Sequence, residues 1–187
     1  IGTRPDCLPD EVLNLLGELN KFKPVWVELG LQTIHENTAK YINRGYTLDV
    51  FNTAVNNLNK INVDVIVHLI IGLPFESKED ILESVKYVSS MNISGIKLQL
   101  LHVLKNTPLE KEYFLNKFEV LSMEEYVDII AECLRYIPKS IVIHRLTGDG
   151  PKSILVAPLW SGNKKAVLNY MNKRFNELNV IQGSLCS

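Results

Sequence analysis

The sequence predicts an α/β protein with a parallel sheet, built as a partial (open) TIM-like barrel with a C-terminal helical extension. Three observations predict it. Apolar, β-branched runs alternate with amphipathic segments at roughly 35-residue spacing, the order that right-handed strand–helix–strand crossovers require. The run VDVIVHLIIGLPFE at 63–76 is too uniformly apolar for a strand with one wet face, and its Gly72-Leu73-Pro74 exit suits a buried parallel strand entering a βα loop. The chain has 187 residues and four such strands, or five if its first residues end one, whereas a closed eight-unit barrel takes about 250 residues.

The elements follow in order. Pro9-Asp10-Glu11 opens a helix with Val12, Leu13, Leu15, Leu16 and Leu19 apolar up to Asn20, its two acids set against the positive end of the helix dipole. A strand spans 25–31, and short helices span 35–43 and 48–61, the second with Thr47 as its expected cap. The strand at 63–71 leads to a helix capped by Ser77 and running to 91. A strand at 95–101 is followed by a loop at 102–108. Ser122 caps a helix to 136 with Glu125 in the capping-box position. A short strand at 141–144, a Gly-Asp-Gly-Pro turn, a helix at 163–178 and a loose tail at 181–187 complete the chain. Residues 1–150 read as barrel and 151–187 as extension.

Net charge is −1 with the signs interleaved, so no basic stripe points to a nucleic-acid backbone, and no apolar run is long enough to span a bilayer. Three widely spaced cysteines, Cys7, Cys133 and Cys186, have no metal-type spacing and fit a reducing, cytoplasmic setting. No metal ligand set is expected from them. The start at Ile1 reads as a strand entered midway, hence as part of a longer parent.

In barrels of this class ligands sit at the carboxyl ends of the strands. There the sequence sets out Arg4, then Glu28 with Gln32, then His68, then Gln99 with His102, then His144 with Arg145. Each has two readings. Glu28 is a ligand contact or half of a buried ion pair. Arg44, before Gly45, is a ligand cation or the last-turn cation of a helix. His68 is a ligand contact or a satisfied core histidine. Arg145 and His144 hold an anionic substrate with Asp149 orienting a donor, or Arg145 and Asp149 pair inside a turn. Recurrence at every strand end favours the ligand readings, since functional groups on this architecture come from several strands.

Glu28-Leu29-Gly30-Leu31-Gln32-Thr33, Asn43-Arg44-Gly45-Tyr46-Thr47, His68 to Pro74 and Thr3-Arg4-Pro5-Asp6 resemble the later barrel half of radical S-adenosylmethionine enzymes. The resemblance is to the branch holding Elp3-type proteins, oxygen-independent coproporphyrinogen oxidases and YhcC-like proteins. The stretches 102–108, 144–151 and 157–160 look YhcC-like. The resemblance implies two cofactors, S-adenosylmethionine and a [4Fe–4S] cluster that reduces it to release a 5′-deoxyadenosyl radical. It implies that Gln32 and Arg44 contact S-adenosylmethionine, Arg44 through a charge-assisted fork on the methionine carboxylate. It places His68 toward the nucleoside, has Gly72 admit the loop backbone to it, and adds Glu28 as a further polar contact. The substrate side is left to Arg4, Gln99, His102, His144, Arg145 and Asp149.

One departure is large. The family's cluster is held by a CxxxCxxC motif or a longer variant early in the barrel, and no two cysteines here are close enough to form it. A Gly-rich stretch found in relatives is missing, and Gly2 stands where they often carry an acid. The expectation is therefore the C-terminal part of a radical S-adenosylmethionine enzyme whose upstream part, in the same parent chain, binds the cluster. The substrate, a small molecule or an RNA, is not specified. The alternatives are a half-barrel that binds a nucleotide or protein without redox chemistry, and a chain that self-associates through its open sheet edge.

Overall fold

A computed structural model of the chain describes residues 1–148 and 150–186. A five-stranded parallel sheet forms the frame, in the order β1-β2-β3-β4-β6. Its strands are β1 (Gly2–Thr3), β2 (Trp26–Gln32), β3 (Asp64–Ile71), β4 (Gly95–Leu100) and β6 (Val142–Arg145). Helices α1 (Asp10–Phe22), α2 (Glu36–Tyr41), α3 (Leu48–Lys60), α4 (Lys78–Ser89) and α6 (Met123–Tyr136) lie between them. This is the expected partial barrel, because each strand is followed by helical segments that cover the same face.

The sheet's two faces differ by residue parity. Val27, Leu29 and Leu31 of β2 are fully buried with Val67 of β3 and Leu98 of β4, against Phe51, Leu58, Val85 and Ile130 from the helices. Each fully buried Leu or Val withdraws about 1.5–3 kcal/mol of apolar surface from water. The alternate residues Glu28, Gly30 and Gln32, with His68, Lys97 and Gln99, are only partly buried and line the opposite, concave face. In a barrel that face is the lumen.

Ser77 with Asp80, and Ser122 with Glu125, form reciprocal capping boxes at the starts of α4 and α6. Thr47 does not cap α3 with its side chain; the Glu36 carboxylate accepts the Leu48 N–H at 2.7 Å in its place. Charge and reach give the carboxylate the advantage over a hydroxyl.

The 102–108 segment is more ordered than a loop. It contains β5 (Val103–Leu104), which pairs antiparallel with β7 (Leu155–Ala157), and leads into α5 (Pro108–Phe114), capped by Thr107. The C-terminal extension therefore carries a strand as well as α7 (Lys164–Glu177), which docks on α6 through a two-bond pair of Arg174 with Asp128 at 2.7 and 2.8 Å. Over its described residues, 181–186, the tail is not loose. The N–H groups of Gly183 and Leu185 donate to Leu134 O and Arg135 O, and Gln182 Nε2 donates to Pro138 O and Ile141 O, so the tail satisfies carbonyls at the end of α6.

Candidate functional site

A cavity of about 570 Å³ opens at the carboxyl ends of β2, β3 and β4. Arg4, Gln32, Arg44, Tyr46, Ile70 and Leu73 form one side, and Leu101, Pro108, Leu109 and Glu112 the other, with Tyr41 between. Its size and mixed lining suit a small organic ligand. Glu112 and Leu109 come from α5, which the sequence pattern did not show. Tyr41 donates a hydrogen bond to Glu112 and joins the two sides; burial, with Glu112, pushes the Tyr41 phenol up to about 12.

Gln32 sits at a break in register between Gly30 and Gln32, with φ +65°. Such a bulge re-aims a side chain at a strand end. The side chain folds back over Gly30, where a Cβ would stand 2.5 Å from Gln32 Nε2, so a larger residue there would push the Gln32 amide aside. The Tyr46 hydroxyl donates to Gly30 O and stands 3.2 Å from Gln32 Oε1.

Arg44 lines the cavity, but its side chain is 1 % exposed. Nε donates to Tyr46 O at 2.8 Å, Nη1 to Thr33 O at 2.7 Å and Nη2 to Glu36 at 2.9 Å. The guanidinium thereby fastens the end of β2 to the 44–46 turn and to Glu36 at the start of α2, whose carboxylate also caps α3.

Below the cavity the lumen face carries a polar layer. Glu28 pairs with Lys97 at 2.7 Å and with His68 Nε2 at 3.1 Å, while Gln99 Nε2 lies 3.0 Å from His68 Nδ1. With Glu28 accepting at Nε2, the tautomer carries its proton there and Nδ1 accepts from Gln99. Lys97, bonded to it, holds the Glu28 carboxyl below its ordinary range, with His68 adding to the effect. Burial, then Lys97, pushes His68 down, and Glu28 only partly opposes this. His68 is thus a neutral, doubly bonded ring. Lys97 was missed in the sequence, although its parity with Gln99 puts both on one face of β4.

Other expected positions separate. Gly72 has φ +85°, and a Cβ there would stand 2.9 Å from Leu121 Cδ1, so glycine is set by backbone and packing. His102 Nε2 lies 3.0 Å from Ser161 Oγ, and the Ser161 hydroxyl donates to Pro158 O, under the turn near Gly148 and Gly150. β6 is short, and its register sets the Arg145 backbone level with Lys97, while the His144 ring lies over Gly95, 6.5 Å from Trp26 at the start of β2. Asp149 lies outside the described residues.

Ligand atoms of His35, Asp80 and Glu83 come within 4.8 Å of one another, but Asp80 is engaged in its capping box and His35 Nε2 on Asp80 O. The cysteines do not meet. Cys7 and Cys186 are exposed, and Cys133 is buried in α6, where desolvation pushes its thiol up to about 12. The described residues therefore do not fit an iron–sulfur cluster. No helix among them is long and apolar enough to cross a membrane.

These features define half of an α/β barrel with a ligand-sized cavity at the rim where that architecture binds its ligands. Residues 1–88 match the model of the radical SAM superfamily, and residues 93–177 that of the radical SAM C-terminal domain. The chain belongs to the radical SAM superfamily. It is 45 % identical over 183 residues to the protein YtqA of Bacillus subtilis, covering 98 % of this chain and 57 % of that protein. It is 35 % identical over 185 residues to YhcC of Escherichia coli K12, covering 98 % of this chain and 60 % of YhcC. The chain thus spans a little under two thirds of these relatives. The solved structure of archaeal Methanocaldococcus infernus Elp3 superimposes with a TM-score of 0.80 at 24 % identity, over 97 % of this chain and 42 % of that one, and shares its fold.

Proposed function

We propose that this chain is the C-terminal part of a radical S-adenosylmethionine iron–sulfur enzyme of YhcC-like type and supplies its S-adenosylmethionine cavity. The observation that carries the reading is the 570 Å³ cavity at the strand ends, built jointly by the two stretches that match the superfamily's models. Its chemistry suits the cofactor. Ile70, Leu73 and Leu101 offer apolar walls to a nucleoside, and the Gln32 carboxamide offers a donor and an acceptor. Arg44 fixes the rim on which Gln32 stands. The Glu28–His68–Gln99 layer forms a polar floor whose tautomer is already set.

S-adenosylmethionine, when reduced by a cluster, supplies the radical that the family uses. Thiolates for that cluster come from outside this set of residues, in an upstream part of the parent chain that pairs along the β1 edge. The alternative, a nucleotide-binding half-barrel without redox chemistry, shares the cavity and differs in having no such upstream thiolates.

Calorimetric titration of the chain with S-adenosylmethionine and with adenosine tests the cavity. Saturable binding of both is expected. Absence of heat and of any thermal shift with either ligand overturns the reading.

A further inference from the structure

The cavity's second wall is packed apart from the rest of the molecule. Strands β2, β3 and β4 share one large core with α1, α3, α4, α6 and α7. Val103, Phe118 and Ala157 form a small buried cluster of their own, with Leu109 and Tyr113 of α5 packed against it. Helix α5 itself buries no residue. It is flanked by left-handed asparagines, Asn106 at φ +63° and Asn116 at φ +53°, a conformation that this side chain adopts at little cost. Yet this loosely attached helix supplies Leu109 and Glu112 to the cavity.

Across the cavity stands the fixed half of a bond. Tyr41 ends α2, and its ring meets that of Phe75 edge-on at 5.1 Å. Phe75 takes φ +68°, which a bulky residue seldom adopts, in the loop that leaves β3. The Tyr41 hydroxyl donates to Glu112, and among the described residues this is the side-chain hydrogen bond that ties α5 to the opposite side. Glu112 Oε1 also lies 3.7 Å from Lys117 Nζ, within the same small unit, so the carboxylate belongs with α5 rather than with Tyr41. Both ends of the Tyr41–Glu112 bond line the cavity and are only partly buried.

We propose that α5, with its flanks from 105 to 117, is a lid over the cavity, and that the Tyr41–Glu112 bond is the latch that holds it shut. The proposal rests on the cavity being the ligand site and adds how a ligand enters it. One charge-assisted bond has the strength such a device needs: its loss raises the open population about tenfold or more and leaves the main core intact. Opening carries Leu109 and Glu112 away and leaves Gln32, Ile70 and Leu73 on the barrel side. Closure withdraws the bound group from water.

Tryptic cleavage at Lys111, within α5, reads the open population, because proteolysis tracks it while opening and closing are fast. The full chain is compared with Tyr41→Phe, which removes only a hydroxyl, and with Glu112→Gln, whose amide keeps a weaker acceptor. Cleavage at Lys111 is expected to rise about tenfold in Tyr41→Phe and by less in Glu112→Gln, while cleavage at Lys60, at the end of α3, stays as in the wild type. Adenosine binding to each protein is then followed in real time by surface plasmon resonance. Its association and dissociation rates are expected to rise together several-fold in Tyr41→Phe, since entry and exit pass the same latch; a tyrosine that only touches the ligand would change dissociation alone. Lys111 cleavage in Tyr41→Phe equal to the wild type overturns the proposal, as does a rise matched at Lys60 or an association rate left unmoved. A wild type that binds neither adenosine nor S-adenosylmethionine overturns the cavity reading instead. The cleavage ratio still decides in that case whether α5 is latched, so the two failures are distinguishable.

Discussion

Replacing Arg44 with alanine tests whether this side chain is a strut of the cavity wall. The substitution removes three well-formed bonds, to Thr33 O at 2.7 Å, Tyr46 O at 2.8 Å and Glu36 at 2.9 Å, from a side chain that is 1 % exposed. Hydrogen bonds to a charged group contribute about 1.5–3 kcal/mol each. Their full sum overstates the loss: Glu36, 41 % exposed, is rehydrated, and water entering the adjoining cavity reaches the freed carbonyls. About two bonds' worth, about 3–5 kcal/mol, is the expected loss. In a chain of this size each kcal/mol is worth roughly 2–4 °C, so the melting temperature falls by about 6–20 °C. Arg44→Lys, which keeps the charge but not the fork, is expected to lose roughly half as much. Urea unfolding followed by far-ultraviolet circular dichroism, beside a thermal scan, measures both. A fall of less than about 2 °C for Arg44→Ala refutes the reasoning, because the guanidinium would then be dispensable to the wall.

Gly72→Ala places a Cβ at φ +85° and 2.9 Å from Leu121 Cδ1, and is expected to cost about 1–3 kcal/mol in urea unfolding. Combining it with Leu121→Ala recovers the steric share and leaves the backbone share; a double variant with no recovery shows that crowding plays no part. Stability is expected to fall as pH drops below about 6.5, the unfolded value of histidine. Burial and Lys97 hold the folded His68 below that value, so the unfolded chain takes up the proton first. Chemical unfolding at pH 7.5 and 5.5 checks the sign, and His68→Gln is expected to flatten the dependence. A wild type more stable at the lower pH contradicts it.

The order of strands and helices was legible because the apolar runs are long and Gly72-Leu73-Pro74 ends the longest of them. Ser77 and Ser122 announced two helices because a side-chain cap needs only local spacing. Thr47 misled for the opposite reason: the group that caps α3 is Glu36, twelve positions away along the chain, brought there by the 44–46 turn. The strands β5 and β7 hold two and three residues, too few for an alternation to show, and they order each other only by pairing Val103 with Ala157 and Leu104 with Leu155, far along the chain. His144 and Arg145 were expected at the rim because a strand's last residues usually lie there. The shift at Ile96/Lys97 and the shortness of β6 put their backbone at mid-height, and register of that kind is set by tertiary pairing.

The cavity's second wall shows why half of the site escaped a reading by strand ends. Arg4, Gln32 and Tyr46 belong to the stretch that matches the superfamily model, whereas Leu109 and Glu112 belong to the stretch that matches the C-terminal domain model. The Tyr41–Glu112 bond joins the two across 71 positions. Because burial and Glu112 hold the Tyr41 phenol up at about 12, it keeps its proton through neutral pH and continues to donate. The tyrosine side of the bond therefore does not titrate in the range where His68 does. The loss of stability ascribed to His68 belongs to the lumen layer and not to the joint between the two walls.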